Sequence, residues 1–74
     1  SGLKTILPIL DPKMDKAYKD LDMVHEGGEA MDIYKKLADT KDLEMLSRYK
    51  SALIEYCKLD TLAMVKILQK LKEI

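Results

Sequence analysis

The sequence predicts a small all-α fold, a helical subdomain of three to four helices that ends in a long C-terminal helical segment. Three observations carry that prediction. Apolar residues recur at helical spacing over most of the chain, no alternating stretch of useful length suggests a strand, and neither Gly nor Pro interrupts residues 41–74. At 74 residues there is room for one domain with a thin core.

The first element is "LKTILPIL", residues 3–10, with Leu3, Ile6, Leu7 and Leu10 at helical spacing. Pro8 is tolerated only in a first turn or at a kink, so the expectation is one short helix over about 3–10, or two joined turns, ending before Asp11-Pro12. Residues 11–27 carry Met14, Ala17, Tyr18, Leu21, Met23 and Val24 without a sustained period and close on Gly27-Gly28. They read as a structured connection with one helical turn near Asp15 to Asp20. A helix over about 28–38 follows, with Ala30, Ile33, Tyr34 and Leu37 on one face. Glu29 lies at its start and Lys35 and Lys36 near its end, as the helix dipole favours.

Asp39-Thr40 offers an N-cap to the last segment, about 41–73. A broad apolar stripe is expected along it from Leu43, Leu46, Tyr49, Leu53, Tyr56, Cys57, Ala63, Met64, Ile67, Leu68 and Leu71. So long a helix exceeds the average of about 11–12 residues several-fold, which favours a bend or break near 57–61.

Thirteen basic and thirteen acidic residues cancel, and both signs are interspersed. No basic field is available to hold a nucleic acid backbone by charge alone, which disfavours a DNA-binding helix-turn-helix. The lone cysteine, Cys57, cannot form an internal disulfide, in keeping with a reducing, cytoplasmic setting. No apolar run approaches the roughly 18 residues of a membrane span. Cys57 has no partner in the sequence that would activate it, and a small core residue is the simplest expectation. Met14, Met23, Met31, Met45 and Met64 are expected to pack, His25 to sit in a turn, and Gly27-Gly28 to begin a helix.

One position breaks the pattern. Counting in sevens gives Leu46, Leu53, Asp60, Ile67 and Ile74, a helical line with one acid among four aliphatic residues. Asp60 could cap a new helix after a break, could point to water, or could lie against a cation, since an unpaired carboxylate on a buried line costs several kcal/mol. Tyr56 lies one turn earlier on the same face, within reach of a common point. A carboxylate suits a hard ion such as Mg²⁺ or Mn²⁺, and a phenol beside it can hydrogen-bond the water that such an ion activates.

The string "YKSALIEYCKLDTLAMVKILQKL", with its Tyr56-x-x-x-Asp60, resembles the third motif of the ribonuclease-H-like 3′-to-5′ exonucleases of the DEDD type, tyrosine subgroup. Together with "LKTILPIL" and "YKDLDMVHEGGEAMDIYKKL" it is similar to the C-terminal part of an uncharacterised bacterial family known as a domain of unknown function, over Leu3 to Leu71. The resemblance implies that Asp60 is the last metal-binding acid of a two-metal site and that Tyr56 orients the attacking water toward a phosphodiester. It also implies Mg²⁺ or Mn²⁺ in a complete protein. Lys4, beside the first short helix, is a further candidate, for contact with a phosphate in that protein.

The other acids of such a site come from a strand bearing Asp-x-Glu and from a second motif. The Asp42-x-Glu44 present here opens a helix on the same late segment as Asp60 and does not match that strand. The chain is therefore expected to be a fragment of a larger α/β ribonuclease-H-like domain, inactive alone, without a tightly bound metal, and in contact with nucleic acid only through the rest of its parent. The competing expectation is a small helical interaction module in which Asp60 is only a cap. Under either, the apolar stripe is expected to drive self-association, as a dimer of C-terminal helices.

Overall fold

The structure is a computed structural model and describes residues 11–74 together with Ile6 and Ile9. Ile6 and Ile9 are helical; the rest of the helix expected over 3–10, and Lys4 with it, lies outside the described residues. Three further helices follow: α1 (Pro12–Lys19), α2 (Gly27–Asp39) and α3 (Leu43–Lys72). The described residues contain no strand, and the fold is all-α.

Helix α1 takes eight of the residues expected as connection over 11–27, and it contains most of the helical turn expected near Asp15 to Asp20. Asp11 caps it, its side chain accepting from the Lys13 amide at 3.1 Å, and Pro12 takes the first helical position, where a missing N–H costs nothing. Met14, Ala17, Tyr18 and Leu21 do follow i, i+3, i+4, i+7 spacing. The period fades only when Met23 and Val24 are counted with them, and those two belong to the turn beyond the helix. Met23 turns the chain there with φ at 62°, a left-handed conformation uncommon outside glycine.

Helix α2 begins one residue earlier than its apolar pattern. Glu26 is the cap, accepting from the Gly28 amide at 2.9 Å and the Glu29 amide at 2.8 Å. Glu29 reaches back to the His25 amide at 3.1 Å and to His25 Nδ1 at 2.9 Å, so two glutamates satisfy donors in both directions across the first turn. A side chain at Gly28 would bring its Cβ to 3.0 Å from Glu26 Oε1, which explains a residue without one beside this cap.

The cap of α3 is Asp42, which accepts from Glu44 at 2.9 Å and Met45 at 3.3 Å. Asp39-Thr40, expected in that role, instead closes α2: Asp39 is its last residue, and the Thr40 hydroxyl donates to the Lys36 carbonyl. From Leu43 the helix runs 30 residues without interruption. At about 1.5 Å per residue that is about 45 Å, nearly the whole 49 Å length of the molecule. The break expected near 57–61 is absent. No Gly or Pro weakens that stretch, and side chains from the shorter helices clad the helix on both sides of it.

Helix α2 packs on the N-terminal half of α3 and α1 on the C-terminal half. Val24, Ile33 and Ala52 form one buried cluster, with Met23, Ala30, Tyr49 and Leu53 against it. Met14, Tyr18 and Ala63 form the other, joined by Leu21, Leu59 and Ile67. Tyr56 packs against both. Ala52 and Ala63 stand eleven residues apart, close to three full turns, so each opens a place on the same face for a crossing helix. An ion pair between Lys66 and Asp11, 3.0 Å long, ties the start of α1 to α3.

The broad stripe expected on α3 divides in two. The line Leu46, Leu53, Asp60, Ile67 is half-buried under the short helices, whereas Leu43, Cys57, Met64, Leu68 and Leu71 are exposed. Cys57 is thus a surface residue and not part of the core. Of the methionines expected to pack, Met14 is buried, but Met31 and Met64 lie on the surface. The reason is coverage: two short helices can shield only one side of a helix about 10 Å across.

Candidate functional site

Asp60 lies in the middle of α3, so it caps nothing. Nor does it simply point to water. Its Oδ1 accepts a 2.5 Å hydrogen bond from the Tyr18 hydroxyl of α1, 42 residues earlier in the chain. Helix α1 brings Tyr18 there because Met14 and Tyr18, one turn apart, are both anchored against Ala63, three residues beyond the acid. The acid is half-buried and the phenol almost wholly so, at 1% exposure.

Tyr56 completes the cluster. Its ring meets that of Tyr18 edge to face, with centroids 6.0 Å apart and planes inclined at 64°, an arrangement that aromatic quadrupoles favour. Sequence spacing correctly brings Tyr56 and Asp60 to one face. It gives no sign of Tyr18, which falls within the connection expected over 11–27. The available signal was the Met14, Ala17, Tyr18, Leu21 spacing behind the Asp11-Pro12 cap.

Both phenols are held in their neutral form. Burial pushes the Tyr18 hydroxyl well above the ordinary tyrosine range, and the hydrogen bond to Asp60 and that carboxylate's charge push it further. Tyr56 is raised too, first by burial and then by the negative charges of Asp60 and Glu26. Each can therefore donate a proton in a hydrogen bond at neutral pH, and neither is disposed to act as a phenolate base.

A stability consequence follows with a definite sign. Because folding raises these two values, the folded chain holds phenolic protons that the unfolded chain releases above about pH 10. The stabilisation is fully present below that pH and is lost as pH rises toward the folded values. Urea titrations in alkaline buffers should show the midpoint falling from about pH 10 upward, with a shallower fall in Tyr18→Phe; equal slopes would contradict the coupling.

The donor set defines what the site could hold. Asp60 offers one carboxylate, and among the described residues no three His, Cys, Asp or Glu side chains gather as a metal site. These residues alone do not fit a two-metal centre, so further ligands would have to come from elsewhere. Asp42 and Glu44 are not candidates, since Asp42 is occupied at the start of α3, some eighteen residues from Asp60. His25 serves the α2 cap. No described helix is long and apolar enough to cross a membrane.

The geometry thus defines a helical scaffold with one oriented acid between two tyrosines. Comparison with known protein families, with curated proteins and with solved structures finds no match to this chain.

Proposed function

We propose that this chain is the C-terminal helical portion of a metal-dependent, exonuclease-like domain, in which Asp60 supplies one ligand for Mg²⁺ or Mn²⁺ and Tyr56 orients the attacking water. The single observation that supports this most is the position of Asp60. A mid-helix carboxylate on an otherwise aliphatic line, fixed by a buried phenol with a second phenol one turn away, is arranged as a binding group would be. The bare apolar side of α3 adjoins it, and in a larger protein that side would meet the elements bearing the remaining acids. Catalysis would require those elements, and nucleic acid would be engaged through them.

The test is Asp60→Asn in the complete protein. The amide oxygen still accepts from Tyr18, so the fold should survive, whereas removal of the charge should abolish metal-dependent nucleic acid cleavage. Retained cleavage would overturn the proposal, and loss of the cooperative unfolding transition would assign Asp60 to the fold alone. A second reading, a helical interaction module without chemistry, is favoured by one specific feature, the exposed apolar row on α3.

A further inference from the structure

We draw no further inference here: the strongest candidate, the apolar groove that Gly27, Ala30, Met31 and Tyr34 of α2 form with Leu53 of α3, is an unpartnered surface, and nothing in the structure shows what covers it.

Discussion

Tyr18→Phe should lower stability by about 1.5–3 kcal/mol, the range for a hydrogen bond to a charged group. The phenyl ring keeps its place between Met14 and Ala63, so packing is nearly unchanged and the lost quantity is the donor to Asp60. On a chain of this size the unfolding midpoint should fall by at least about 6 °C. The pair Tyr18→Phe and Asp60→Ala, measured singly and together, isolates the interaction, because either change alone removes the hydrogen bond. Additive effects in that cycle would show that the short contact carries no energy. Tyr18→Ala should go further and unfold the chain. Truncating a buried aromatic costs about 3–5 kcal/mol, as much as a core of this size supplies.

Ala52→Leu and Ala63→Leu should each cost about 1–3 kcal/mol by overpacking. Both positions are buried, at 4% and 0% exposure, where a short helix crosses α3. A leucine would have to lift α2 in the first case and α1 in the second. The sites lie in different clusters, about 16 Å apart along α3, and share only the half-buried Tyr56, so the double variant should lose more than either single one and have no cooperative transition in urea. Values near zero for either substitution would mean that the corresponding helix is not held against α3. Leucine is a good helix former, so a loss cannot be assigned to α3 itself.

The contrast between these alanines and the aliphatic residues explains what could be read from the sequence. Periodicity located α2 and α3 to within two residues and gave the all-α fold, because uninterrupted helical spacing is a property of the chain alone. It did not distinguish the two sides of α3. Cys57, Met64 and Leu68 are as apolar as Leu53 and Ile67, and only the placement of α1 and α2 decides which are covered. Ala52, the center of one cluster, carried no signal because its role is to be small. The caps failed for a related reason. Asp39-Thr40 and Asp42 are all good capping residues within four positions, and the choice among them depends on where α2 ends.

The site was half legible for the same reason. Tyr56 and Asp60 share a helix, so spacing alone brings them to one face. Tyr18 reaches Asp60 from another helix, and that meeting depends on how α1 lies on Ala63. The acid on an aliphatic line was the visible half of a pair whose other member could be located only after packing.

Tyr56 touches both buried clusters, and it is also the ring that meets Tyr18 beside the acid. It therefore acts as a shared wall between two small compartments that otherwise communicate only along the axis of α3. A rotation of that ring would loosen the footing of α2 and disturb the Tyr18–Asp60 clasp in one movement. The orientation of a single carboxylate in this chain consequently reports on the seating of helices at both ends of the molecule.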